Sequence, residues 1–276
     1  MSKYIVLSAF LIFSAFSCKR VPVKNKNPEE KIIEVDNENF SSEYLVMSTL
    51  WYQKSAEMRA ISYQNFKFAK LVFEKKLSEN KSNKPKAIIV DIDETMLDNS
   101  PFEAQLIKTN GKYSKDKWRE WCNLKIAKAL PGAVSFTNFV KSKGVDVFYI
   151  SNRYDDLLEV SMENMQALNF PFIDKNHFLL KKEISSKTLR REKIAADFEI
   201  LMLLGDNLDD FSEIFEHRKD NFGKNLVDEN KQLFGDKYFI FPNPMYGSWE
   251  KAIYGGSMKI SAAKKDSLRK SSLVDY

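Results

Sequence analysis

Five short apolar runs, at residues 87–92, 145–150, 178–180, 200–204 and 238–241, limit what this chain can fold into more than any other feature. They are rich in Ile, Val, Leu and Phe and lack strict polar–apolar alternation, the pattern of strands buried on both faces. Between and after them lie stretches of helical periodicity at 132–143, 155–168, 188–198 and 211–218. Gly144 is placed to end the first of these, and Pro171 turns the chain after the second. Strands alternating with helices imply βαβ units, hence an α/β fold whose parallel sheet is covered on both faces. With 276 residues and 43% hydrophobic content, the chain can bury one such domain.

Outside this repeat, residues 41–77 carry apolar side chains at helical spacing, Tyr44, Met47, Leu50 and Trp51 among them. No Gly or Pro intervenes, so one or two helices are expected. Residues 112–129 read as a further helix, ended by Pro131-Gly132. The segment from Lys259 onward, 259–276, is rich in Lys and Ser and reads as a frayed basic tail.

The first forty residues have a different character. Lys3 precedes an apolar run from Tyr4 to Phe16, and Ser17-Cys18 follows it. A positive start, a short apolar stretch and a small residue form a signal peptide, expected over 1–17. The run is too short for a bilayer, which needs roughly 20 apolar residues. Cys18 directly after it marks a lipidation site, and the Lys-, Asn- and Glu-rich stretch to residue 40 reads as a flexible tether. The expected location is therefore outside the cytoplasm, lipid-anchored to a bacterial membrane, either the outer membrane or the periplasmic face. Of the two cysteines, a lipidated Cys18 leaves Cys122 unpaired and read as a small buried residue.

Net charge is +5, from 43 basic and 38 acidic residues spread along the chain. A nucleic-acid polymer calls for a clustered basic stripe, so none is expected as a partner.

Chemistry concentrates where the strands end. Asp91 and Asp93 close the first run, Ser151-Asn152-Arg153 the second, and Gly205-Asp206-Asn207-Leu208-Asp209-Asp210 the fourth, while Lys181, Lys182 and Lys187 follow the third. In open α/β sheets the ligand sits beyond these carboxyl ends. Several carboxylates converging there repel one another unless a hard divalent cation intervenes, and an all-oxygen ligand set favours Mg2+. The two His residues stand far apart, which argues against zinc. One carboxylate can attack phosphorus, and a second, two residues on, can protonate the leaving alkoxide and later activate water.

The run Asp91-Ile92-Asp93-Glu94-Thr95-Met96-Leu97-Asp98-Asn99-Ser100 resembles the first motif of the haloacid dehalogenase-like (HAD) superfamily. More narrowly, it resembles the class C, or bacterial lipoprotein, acid phosphatases. Gly205-Asp206-Asn207-Leu208-Asp209-Asp210-Phe211 is similar to their second signature, as are stretches at 51–57, 150–153 and 242–247, so that the likeness spans about 41–253. It implies a HAD-like Rossmannoid sheet with a small, mostly helical cap, and 41–258 is expected to form that domain, with the cap drawn from about 41–80 and 99–131. It implies Asp91 as nucleophile and metal ligand, and Asp93 as general acid/base with its backbone carbonyl on the metal. Asp206 and Asp210 become metal ligands, and Ser151 and Asn152 bind phosphate. Among the lysines Lys187 is chosen, because a helix start just after it also favours an anion. Trp118 and Tyr246 are placed to stack an aromatic leaving group. Phe102 stands where the family signature often has Tyr. Arg153 is open between phosphate binding and a carboxylate bridge, Asp98 and Asp209 read as structural, and His177, His217 and Trp121 as ordinary packing or surface residues.

The resemblance implies a broad-specificity acid phosphomonoesterase that uses Mg2+ and an aspartyl-phosphate and favours 5'-nucleotides and aryl phosphates. It also implies a homodimer. The rival reading is a non-catalytic nucleotide- or haem-binding surface lipoprotein on the same fold, opposed by the presence of the whole set of reactive residues. A cytoplasmic sugar-phosphate phosphatase or phosphomutase is opposed by the signal peptide.

Overall fold

The structure is a computed structural model that describes residues 42–218 and 220–276. The expected signal peptide, Cys18 and the tether lie outside the described residues. Within them the chain opens with a short 3-10 turn and two consecutive helices, α1 (Val46–Lys54) and α2 (Ala56–Glu79). Ser55, extended between them, caps α2 by accepting the Met58 N–H. The order thereafter is β1 (Lys86–Val90), β2 (Leu97–Asp98), α3 (Ser100–Lys108), α4 (Lys115–Leu124), β3 (Lys128–Ala129), α5 (Ala133–Ser142) and β4 (Asp146–Tyr154). It continues with α6 (Leu158–Ala167), β5 (Phe178–Lys181), α7 (Thr188–Asp197), β6 (Glu199–Gly205), α8 (Lys224–Glu229), β7 (Tyr238–Ile240), α9 (Ser248–Ile253) and α10 (Ala262–Ser271).

Five strands form one parallel sheet in the order β5-β4-β1-β6-β7. The chain winds outward from β1 through β4 to β5, then returns to the other side of β1 with β6 and β7. The carboxyl end of β1 is therefore the switch point, where a crevice opens for ligand. Side chains of β1 alternate between two cores. Ile88 and Val90 face Phe66, Ala69 and Phe73 of α2 and Phe136 and Val140 of α5. Ala87 and Ile89 face Ile194 of α7 with Phe211 and Phe215. Both faces are covered, which explains why the runs show no alternation of polarity.

Beyond β1 the chain makes a small antiparallel hairpin, β2 against β3, and α3 and α4 lie in the loop between its strands.

Several local expectations are corrected. The helix at the start of the described chain turns Leu45, Thr49 and Tyr52 inward, while Met47 is 74% exposed and Tyr44 and Leu50 are also exposed. The apolar spacing therefore marked the wrong face, and Tyr44 instead lines the cavity described below. Helix α2, within the stretch assigned to the cap, packs on the sheet, its Phe66 ring 4.7 Å from Phe241 and 5.6 Å from Phe136. The helix expected over 112–129 stops at Leu124, where Lys125 adopts φ 55°, so that Lys128 and Ala129 can pair with β2. Residues 211–218 hold a 3-10 turn at Glu213–Phe215 rather than a helix. The supposedly frayed tail forms α10, capped by Ser261, whose Oγ accepts the Lys264 N–H.

Candidate active site

A cavity of about 870 Å3 opens at the carboxyl ends of β1, β4 and β6, and its walls include Asp91, Asp93, Asn152, Arg153, Lys187, Asp206 and Asp210. Residues far apart in the chain thus meet because their strands are neighbours in the sheet. The Asp91 N–H donates to the Leu204 carbonyl at 2.9 Å, locking the end of β1 to β6.

Lys187 occupies the position before the first turn of α7 and is buried. Its ammonium bonds Asp91 Oδ1 and lies 2.6 Å from Asp210 Oδ1. Burial works against that charge, yet Asp210 and Asp91 outweigh it and hold the ammonium above its usual pKa. Lys181 instead lies over the Tyr154 ring at 4.0 Å, and Lys182 is exposed, so neither reaches the cavity wall.

Asp91, Asp206 and Asp210 each offer an oxygen within 4.8 Å of the others. Gly205 makes this possible: a Cβ there would stand 2.6 Å from the Asp210 Cβ, so only glycine lets that side chain fold back over the strand end. Asp210 Oδ2 is fixed further by the Asn207 N–H at 3.0 Å. Burial raises the pKa of Asp206, and Asp210 and Asp91 raise it further, while Asn243, donating at 2.8 Å, works the other way. Burial likewise pushes Asp91 up against the opposing pull of Lys187. One lysine, paired with two of these three carboxylates, leaves excess negative charge on an all-oxygen donor set. Such a set fits a hard divalent cation.

Asp93 is held differently. Its Oδ1 accepts from Asn99 Nδ2 at 2.8 Å and Arg153 Nε at 2.9 Å, and its Oδ2 from Ser151 Oγ at 3.2 Å. Arg153 is fully buried, and this ion pair answers the question the sequence left open: it bridges to a carboxylate. Burial disfavours the guanidinium charge, but Asp93 overcomes that and raises its pKa. Asn99 ties the group together, its Oδ1 accepting from Trp121 Nε1 at 2.9 Å and from Arg153 at 3.2 Å.

Ser151 is completely buried, with its hydroxyl on Asp93 rather than on the cavity wall. Asn152 does line the cavity, and its Oδ1 accepts from Arg190 at 2.7 Å. Trp118 and Tyr246 also line it. Trp118 packs edge-on against Phe102 at 5.0 Å, and the Tyr246 hydroxyl donates to the buried Glu94 carboxylate. Asp98 accepts from the Ser100 N–H, and Asp209 pairs with Arg218 at 2.7 Å, both supporting turns as expected. Cys122 is buried and free, and His177 packs on Phe148 with Asp174 at its ring.

Four supporting residues escaped sequence reasoning. Asn99 and Asn243 orient the two outer carboxylates, Glu94 anchors the loop after β1, and Arg190 straps the Ser151 carbonyl, at 2.7 Å, to the loop before α7. Polar residues in loops carry no periodicity, so only the fold assigns them partners. Glu94 stood inside a motif and at φ 55°, but backbone strain is not readable from one sequence.

A central strand ending in a carboxylate pair, joined by a lysine and two further carboxylates from neighbouring strand ends, is suited to holding a phosphoryl group at the carboxyl ends of an α/β sheet. Comparison with known proteins agrees. The HAD superfamily, subfamily IIIB (acid phosphatase), matches residues 4–249. The class C acid phosphatase from Bacillus anthracis with tungstate bound superposes with a TM-score of 0.82 and 38% identity, covering 85% of this chain and 98% of that one. A second structure of the Bacillus anthracis class C acid phosphatase gives 0.82, with 39% identity over the same shares. Stem 31 kDa glycoprotein of Glycine max is 24% identical over 200 residues, 70% of this chain and 69% of that protein. The chain belongs to the class C acid phosphatases of HAD subfamily IIIB. It is a phosphomonoesterase.

Proposed function

We propose that this phosphatase works through an aspartyl-phosphate on Asp91, with Mg2+ as cofactor and with 5'-nucleotides and aryl phosphates as preferred substrates. The observation that carries the reading is the convergence of Asp91, Lys187, Asp206 and Asp210 on one wall of the cavity. The neighbour from Bacillus anthracis carries tungstate, an oxyanion shaped like phosphate, which supports oxyanion binding by this fold.

Mg2+ would be held by the Asp91, Asp206 and Asp210 carboxylates with the Asp93 backbone carbonyl, where it would offset the charge of the phosphoryl oxygens. Lys187 supplies a fixed positive charge beside Asp91, able to bind a phosphoryl oxygen and to neutralise charge that builds during transfer. Asp91 attacks phosphorus, the P–O bond to the leaving group breaks, and Asp93 delivers the proton that the departing oxygen needs. Asp93 then takes a proton from water as it attacks the aspartyl-phosphate, freeing Asp91 and inorganic phosphate. In the resting arrangement both Asp93 oxygens are occupied by protein donors, so Asp93 must give one of them up to reach substrate. Ser151 and Asn152 contribute to the phosphate site through the backbone that Arg190 braces.

The remaining proposals concern placement: residues 1–17 as a signal peptide, lipid on Cys18, and a homodimer. Among the described residues no helix is long and apolar enough to cross a membrane. Incorporation of a palmitate analogue that disappears in Cys18→Ser tests the anchor.

The catalytic proposal is tested by hydrolysis of p-nitrophenyl phosphate and 5'-AMP by the mature protein before and after EDTA. Turnover that vanishes with chelation and returns with Mg2+ is expected. Tight nucleotide binding without turnover would return the chain to the binding-protein reading.

A further inference from the structure

The cavity is much larger than a phosphate group and falls in the range, about 300–1,000 Å3, that encloses a whole small ligand. Away from the aspartates its walls mix apolar side chains, Tyr44, Phe102, Leu106 and Ile260 among them, with charged ones such as Lys265 and Arg269 of α10. One ionisable side chain in this part stands out. Glu103, in the first turn of α3, lines the cavity, is only 8% exposed, and makes no hydrogen bond or ion pair with any described residue. Every other carboxylate discussed here is engaged: Glu94 by Asn99 and Tyr246, Glu250 by Tyr254 at 2.6 Å and by Arg269 at 3.2 Å.

The Glu103 oxygens open into the cavity, so a ligand that filled the cavity would strip them of water at a cost unless it offered a hydrogen-bond donor in exchange. Burial, assisted by the nearby Glu250, pushes the Glu103 carboxyl up to about 7. Glu103 sits on α3, away from the strand ends that carry the four site aspartates. Carboxylates accept hydrogen bonds and, when ionised, do nothing else. The carboxyl can accept a hydrogen bond whether ionised or protonated, so a ligand donor would satisfy it, and Tyr44, Phe102 and Leu106 among the wall residues suit a flat ring.

We propose that Glu103 is a specificity residue that accepts a hydrogen bond from an amino group on the aromatic leaving group, so that the cavity favours amino-substituted nucleobases. This deepens the phosphatase reading and rests on its nucleotide substrates, but it concerns binding at the far end of the site. Glu103→Met removes the acceptor at similar length, and Glu103→Gln keeps an acceptor oxygen.

Equilibrium binding of adenosine and of purine riboside, which lacks only the exocyclic amine, requires no turnover and so tests Glu103 independently of catalysis. Measured above pH 7, where the Glu103 carboxyl is ionised, loss of a hydrogen bond to this charged group corresponds to about 10–100-fold in affinity. The wild-type protein is expected to prefer adenosine by at least about tenfold within that range. Glu103→Gln should keep most of the preference and Glu103→Met should abolish it. Relief of the unpaired carboxyl should also raise the Tm of Glu103→Met by a few degrees, the reverse of what a structural role gives. Equal binding of the two nucleosides by wild type, an unchanged preference in Glu103→Met, or a lower Tm would overturn the proposal. Turnover of p-nitrophenyl phosphate, which bears no amine, reports on the catalytic reading separately in the three proteins. Its absence from all three would defeat the catalytic reading while leaving the nucleoside result to decide the role of Glu103.

Discussion

The two ends of the cavity are built on opposite plans. At the sheet end, charges lie in a dense network in which Lys187 serves two carboxylates and Asp93 accepts from three side chains. At the helical end, formed by α3, α9 and α10 with Tyr44, a buried carboxylate stands alone and the outer wall is a helix that buries no residue of its own. The proposed mechanism sets chemistry at the first end, and the proposed role of Glu103 sets recognition at the second. Attack on phosphorus needs groups held rigidly against strand ends, whereas selecting a leaving group needs a roomier wall whose polar groups wait for a partner.

The largest effect should come from the sheet end. Asp91→Asn keeps the shape but removes the proposed nucleophile, and kcat is expected to fall by at least about four orders of magnitude in steady-state assays. If substantial turnover survived, the division between the two ends would collapse, because the network would then not carry the chemistry.

Lys187→Met comes next. It strands Asp91 and Asp210 beside each other in a buried site, and breaking such a pair costs about 3–5 kcal/mol. Urea unfolding in EDTA should reveal that loss, and added Mg2+ should recover part of it, since a ligand that binds only the folded state stabilises it. The helical end offers no comparable vulnerability.

Third is the pH dependence attached to Glu103. Its pKa is raised from 4.5 to about 7 by burial and by Glu250. The folded protein therefore holds this proton more tightly than the unfolded chain. Its contribution is most favourable below pH 4.5 and declines as pH rises through about 7, by up to about 3 kcal/mol. The difference in urea stability between wild type and Glu103→Gln should widen in favour of the variant across that window and level off above it. A constant difference would mean that Glu103 finds a donor within the protein.

The smallest effect is expected from α10. Arg269 lies over the Tyr44 ring at 3.5 Å and pairs with the buried Glu250. Arg269→Met should cost about 1 kcal/mol, as a partly exposed pair does, and raise KM for 5'-AMP a few fold while leaving p-nitrophenyl phosphate nearly unchanged. An equal rise for both substrates would extend the influence of α10 to the sheet end.

The two ends also differed in how much the sequence disclosed. Asp91, Asp93, Lys187, Asp206 and Asp210 were legible because each follows a strand with a strong apolar signature, and parallel α/β topology brings such positions together. The sheet itself was equally plain, apart from β4 running past Ile150 to carry Ser151 and Arg153 inside the strand. Glu103 and Arg269 gave no such signal, since a charged residue on a helix normally faces water and nothing local shows what lies opposite. Tyr44 and Met47 misled for the same reason: helical spacing identifies a stripe but not whether core, cavity or solvent receives it. Low hydropathy made 259–276 look unstructured, although Ser261 and an Arg269–Glu250 pair hold α10 in place without an apolar core.

The central claim is that Asp91 becomes covalently phosphorylated. Asp93→Asn should slow release of the intermediate, so rapid acid quench of that variant with 32P-labelled p-nitrophenyl phosphate, whose leaving group departs without a proton, should leave label on the peptide containing Asp91, removable by neutral hydroxylamine. Substrate hydrolysis with no protein-bound label, or label on a peptide lacking Asp91, would contradict the account.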